Sequence, residues 1–134
     1  LFASAEVPVR IVPDVAVELW AKLLVNCAYN AISALAQLPY GRLAAMHGIR
    51  DMQRDVVLEV IAVAAASGVT LSLPASLESV AKIAAAMPAQ RSSTAQDMSR
   101  RKRSEIDHLN GVVFTNLATH VWLPETEEEK EDRV

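Results

Sequence analysis

Residues 15–38 read VAVELWAKLLVNCAYNAISALAQL, and this stretch decides the fold. Its apolar positions Val17, Trp20, Leu24, Cys27, Ala31 and Leu35 recur with the spacing of one helix face. Asp14, just after Pro13, is placed to cap the free amides of a helix start, and Pro39-Tyr40-Gly41 is a turn signal. One long helix is therefore predicted from Asp14 through about Leu38.

The same periodicity continues outward from it. Residues 42–47 read as a short helical turn closed by Gly48. A second long helix is predicted from about Arg50 to Ser67, with Val56, Val57, Val60, Ile61 and Ala64 on one face. Asp51 and Asp55 suit the positive end of its dipole, and Gly68 offers a stop. Pro74 and Ser76 introduce a third helix over 76–87 with Leu77, Val80, Ile83 and Ala84 inward, ended by Met87-Pro88. After the polar loop Ala89 to Thr94, Ser93 with Gln96 and Ser104 with Asp107 have capping-box spacing, which predicts helix starts near 93 and 104, or one kinked helix. The last helix, 104–121, is expected to bury Ile106, Leu109, Val112, Val113, Phe114 and Leu117. Strand signals are confined to Val7 to Val12. The expected architecture is a compact all-α domain of five or six helices over residues 13–122, without internal repeats, followed by an acidic tail, 123–134, expected to be disordered.

Composition excludes several classes of function. A chain of 134 residues, 51% of them hydrophobic, is long enough for one domain with a core. Its four glycines, at 41, 48, 68 and 111, fit neither the Gly-x-Gly-x-x-Gly turn of a dinucleotide fold nor the P-loop spacing, so no phosphate cradle is expected. A single cysteine, Cys27, excludes an internal disulfide framework and lies in an apolar stretch, as a small buried hydrophobe would. A soluble, cytoplasmic protein is expected, since Lys22, Asn26 and Asn30 interrupt the longest apolar run. Residues 125–134 carry six acids against two bases, which leaves eleven bases and ten acids in the body, a balance that points to neither acidic nor basic partners.

Two polar constellations stand out. Lys22, Asn26 and Asn30 are four residues apart, which puts them on one helix face over about 12 Å, and Ser33 and Gln37 continue the stripe. Such a stripe is either a solvated face or the lining of a cleft. In a cleft, a lysine can exchange a proton, and asparagine amides can hold a hydroxy-acid or keto-acid. The second constellation spans Arg91 to Asp97 and Arg100 to Gly111. Its bases Arg100 to Arg103 lack stacking aromatics, so no nucleic-acid partner is expected, and His108 and His120 are too isolated for a metal site. Glu105 fits the first turn of a helix as a capping carboxylate. Asn110-Gly111 is a poor helical pair, for which a close approach of another backbone at Gly111 would account.

The segments 19–30 (LWAKLLVNCAYN), 91–97 (RSSTAQD) and 104–111 (SEIDHLNG) together, in this order and with these intervals, resemble the C-terminal domain of ketopantoate reductases, 2-dehydropantoate 2-reductases, over about residues 10–118. The resemblance implies an all-helical, 6-phosphogluconate dehydrogenase C-terminal-like fold. It implies packing against an N-terminal Rossmann domain that binds NADPH, with residues 1–12 as the linker from that domain. It also implies reduction of a 2-keto acid, ketopantoate, to pantoate in pantothenate and coenzyme A biosynthesis. On that resemblance Lys22 is the general acid on the ketone oxygen. Glu105 contacts substrate and sets the state of the lysine, while Asn26, Asn30 and Ser93 bind substrate. Homodimer formation is a further expectation, and the chain alone is expected to be inactive. Ala31 stands where relatives often have proline, and Val121-Trp122 and the acidic tail depart from the family's C-terminal pattern. The contrasting reading is a helical interaction module that has kept the fold and lost the chemistry.

Overall fold

A computed structural model describes residues 11–120 and shows, among them, six α-helices, one 3-10 turn and no strand. Residues 1–10, which hold most of the expected linker 1–12 and of the strand-like segment Val7 to Val12, lie outside the described residues, as do Val121-Trp122 and the acidic tail.

Helix α1 runs Val15–Ala36 and begins where expected, with the Asp14 carboxylate accepting from Ala16 N at 2.8 Å and Val17 N at 3.4 Å. It ends two residues before the expected Leu38, because Gln37 takes the left-handed conformation at φ 51°. Helix α2, Tyr40–Ala44, starts inside the stretch read as a turn. Helix α3, Ile49–Ala66, matches expectation within a residue and closes in a Schellman arrangement, with Val69 N on Ala64 O and Gly68 N on Ala65 O. Gly68 supplies the positive φ of 81° that this closure requires.

Helix α4 is Leu73–Ala86, starting three residues before the predicted 76. Ser72 caps it by accepting from Ala75 N, so Pro74 lies inside the first turn, where its missing N–H costs nothing. Helix α5, Ser93–Ser99, is capped by Ser92 and not by Ser93: Ser92 Oγ accepts from Ala95 N at 3.0 Å. The single long helix predicted from 104 is instead a 3-10 turn, Ile106–His108, a break at Leu109 (φ −112°, ψ −95°), and helix α6, Asn110–His120. Glu105 stands just before the 3-10 turn and its carboxylate caps nothing.

Helix α1 is the centre of the fold, packed against α3, α4 and α5. By length and mean hydropathy it could cross a bilayer, and here it turns Leu24, Cys27, Ala28 and Tyr29 into the core. Leu24, Cys27, Ala28 and Tyr29 pack there with Leu43, Val57, Val60, Val63, Val80, Ala84 and Val113. Each such leucine or valine contributes on the order of 1.5–3 kcal/mol. The Tyr29 hydroxyl donates to Val80 O at 2.9 Å, so the largest buried side chain keeps its polar end paired, and its ring meets Tyr40 at 4.5 Å. Three residues expected inside are outside: Leu35 is 84% exposed, Phe114 75% and Val112 39%.

The connection from α4 to α5 is pinned to α2 by its backbone. Tyr40 N donates to Gln90 O at 2.9 Å and Gly41 N to Pro88 O at 3.0 Å. A Cβ at Gly41 would sit 2.8 Å from Pro88 Cβ, so glycine is what lets the two segments touch. At Gly111 the close approach that would account for the Asn-Gly pair is not found: a Cβ there would meet Ile106 O at 3.6 Å, an ordinary contact.

Candidate active site

The α1 stripe divides in two along its length. At the C-terminal end each polar side chain has a protein partner. Ser33 is fully buried, donates to Leu38 O at 2.9 Å and accepts from Ser92 N at 3.2 Å. Gln37 Nε2 donates to Ala34 O and reaches Ala95 O. Ser92 Oγ, also fully buried, donates to Asn30 O at 3.4 Å. These bonds seat the start of α5 on the last turns of α1.

At the N-terminal end Lys22 is exposed and Asn26 half-buried, and neither side chain has a protein partner among the described residues. Asn30 lies between the two regimes: it is 2% exposed, its carbonyl is engaged by Ser92, and its Nδ2 has no acceptor. A buried amide donor left unpaired costs about 1–3 kcal/mol, which an incoming oxygen acceptor would recover.

The other two expected site residues are placed less closely. Ser93 is exposed, one residue past the buried Ser92, on the helix that packs against Asn30. Glu105 is exposed, and no ion pair joins it to Lys22 among the described residues. Its segment reaches α1 through Asn110, whose Nδ2 donates to Cys27 O at 3.1 Å. The structure thus gathers Asn30 and the start of α5 directly, and brings the 105–110 segment to the same helix one step further on. Ser92 and Asn110, which carry these contacts, are not among the site residues expected from the sequence. The weak helix propensity of Asn110-Gly111 was the one sequence signal pointing at the second.

The site is an open face. A cavity of about 410 Å³ lies elsewhere, between α1, α3 and α4, lined by Tyr29, Arg50, Gln53, Arg54 and Val80 among others and by none of the five candidates. Among the described residues no cluster of three or more metal-ligating side chains occurs, and no strand–turn–helix forms a dinucleotide cradle. Burial pushes the Cys27 thiol up to about 11, which keeps it protonated and unreactive beneath the stripe.

The family described as "Ketopantoate reductase PanE/ApbA C terminal" matches residues 14–123. A 2-dehydropantoate 2-reductase of Pyrobaculum aerophilum is 40% identical over 105 residues, covering 78% of this chain and 37% of the relative. The crystal structure of a PanE/ApbA family ketopantoate reductase from Ralstonia eutropha JMP134 superposes with a TM-score of 0.79 at 51% identity, covering 88% of this chain and 39% of that one. A dimeric ketopantoate reductase from Staphylococcus aureus, 22% identical over 86% of this chain and 40% of its own, shares the fold with a TM-score of 0.75. The chain spans about two fifths of the length of these relatives. With its other five helices arranged around α1 and a family match that spans all six, the chain belongs to the ketopantoate reductase PanE/ApbA family as the helical C-terminal domain.

Proposed function

We propose that this chain is the substrate-binding part of an NADPH-dependent 2-dehydropantoate 2-reductase, which takes ketopantoate to pantoate. The observation that carries the reading is the half-used stripe. Asn30 holds a buried amide donor with no acceptor, next to an exposed lysine and a half-buried asparagine on the same helix face.

In this reading Lys22 aims its ammonium at the ketone oxygen, stabilises the negative charge that develops there, and delivers the proton that makes the alcohol. Asn26 and Asn30 hold substrate oxygens through their amides, and Ser93 adds a hydroxyl from the start of α5. Glu105 contacts substrate and helps set the state of the lysine. The hydride comes from NADPH, whose cradle these residues do not form and which an N-terminal Rossmann domain of the same parent protein would hold. The open face of α1 is then the half of a cleft that such a domain completes. By itself the chain is expected to be inactive, and its setting cytoplasmic, as a partner of a small 2-keto acid and of a second copy in a homodimer.

The test is NADPH oxidation with ketopantoate by the full-length protein. Lys22→Ala is expected to depress kcat by about 10²–10⁴. An unchanged kcat, or turnover by the 134-residue chain alone, overturns the reading.

A further inference from the structure

Two buried side-chain atoms among the described residues lack a hydrogen-bond partner, Asn30 Nδ2 and Asn110 Oδ1. The first is accounted for by substrate in the reading above. The second is not.

Asn110 opens α6 and is followed by Gly111, and both are poor helix formers. Its Nδ2 reaches across 83 positions of sequence to Cys27 O. In an α-helix that carbonyl also receives the amide four residues on, so the Asn110 contact falls on the turn that separates Asn26 from Asn30. With Nδ2 committed to a carbonyl, the amide cannot flip, because the reversed orientation would set oxygen against oxygen. The orphaned Oδ1 is therefore the consequence of the tie to α1. A residue present only for packing would carry no such cost.

What the tie holds is the segment before it. The 3-10 turn Ile106–His108 packs on α6, and His108 N donates to Glu105 O at 2.9 Å. Glu105 itself is exposed and has no side-chain cap bond to fix it. Its place relative to α1 is set through the turn and through Asn110.

We propose that Asn110 is a positioning residue of the site: its amide clamps the turn bearing Glu105 to the segment of α1 bearing Asn26 and Asn30. This inference rests on the functional reading above. A double-mutant cycle on the full-length protein tests it, with ketopantoate as the probe. Asn110→Ala is expected to lower kcat/KM about tenfold in the wild-type background and less than about twofold in a Glu105→Gln background. A purely structural role would give the same loss in both. Equal losses, or no loss in the wild-type background, overturn the proposal. Asn110→Ser, which starts a helix well and also lacks the amide, repeats the cycle where the alanine variant does not fold. Lys22→Ala on the same protein separates the failures. Unchanged turnover there overturns the functional reading together with this inference, whereas lost turnover with additive Asn110 effects overturns the inference alone.

Discussion

Ser33 and Gln37 lie on the same α1 stripe as Lys22 and Asn26, one pair at its C-terminal end and the other toward its N-terminal end. Ser33 is sealed under α5 and spends its hydroxyl on Leu38 O and Ser92 N, and Gln37 spends its amide on Ala34 O and Ala95 O. Lys22 and Asn26 spend nothing on the described protein. Helical spacing thus identifies a polar face, but only the neighbouring element decides whether that face is structure or is left for a ligand. Residue type does not separate the two: an amide serves at each end.

The contrast can be broken most sharply at its ends. Lys22→Ala should cost about 10²–10⁴ in kcat while leaving the thermal midpoint unchanged, because the side chain is exposed and unpaired. Steady-state kinetics on the full-length protein and calorimetry read the two quantities. Ser33→Ala should do the reverse. It leaves Ser92 N and Leu38 O without their partner, so urea unfolding should show a loss of about 2–3 kcal/mol with kcat within about twofold of wild type. A variant that moved both quantities at either position would erase the division of the stripe.

Beneath the boundary between the halves, Cys27 gives a pH signature. Its thiol is raised from 9.0 to about 11 in the folded chain, so the stability it contributes is intact below about pH 9 and is lost as pH rises toward 11. Chemical denaturation across that range should show the decline, and Cys27→Ala should flatten it. Tyr29 and Tyr40, also raised by burial, leave a remainder of the same sign. The smallest contrast lies between adjacent serines. Ser92→Ala removes a helix cap and should cost about 1 kcal/mol, whereas Ser93→Ala should change stability by less than about 0.5 kcal/mol and show itself in a raised KM for ketopantoate.

Helices α1 and α3 were legible almost to the residue, because cap, apolar period and stop are all local signals. Leu73 as the start of α4 was misplaced because two serines, 72 and 76, flank Pro74, and only the observed Ser72 bond to Ala75 N chooses between them. The break at Leu109 was not legible. Apolar spacing runs straight through it, and the Asn110 amide that marks the new start has its partner on α1. Phe114 and Val112 read as core by hydrophobicity, yet they fall on the outward side of α6, a distinction a period cannot make without knowing where α3 lies. In the site, the three α1 residues followed from spacing and family resemblance together. That Ser92 and not Ser93 would be the sealed serine depended on the loop that delivers it.

The backbone pairing of Tyr40 and Gly41 with Gln90 and Pro88 also has a practical corollary for engineering the chain. Residues 87–91 are exposed and look like an ordinary surface loop in which to place a label or an insertion. They are instead held in register by two main-chain bonds and a glycine contact, and they feed directly into Ser92. Added length there would release the start of α5 from α1.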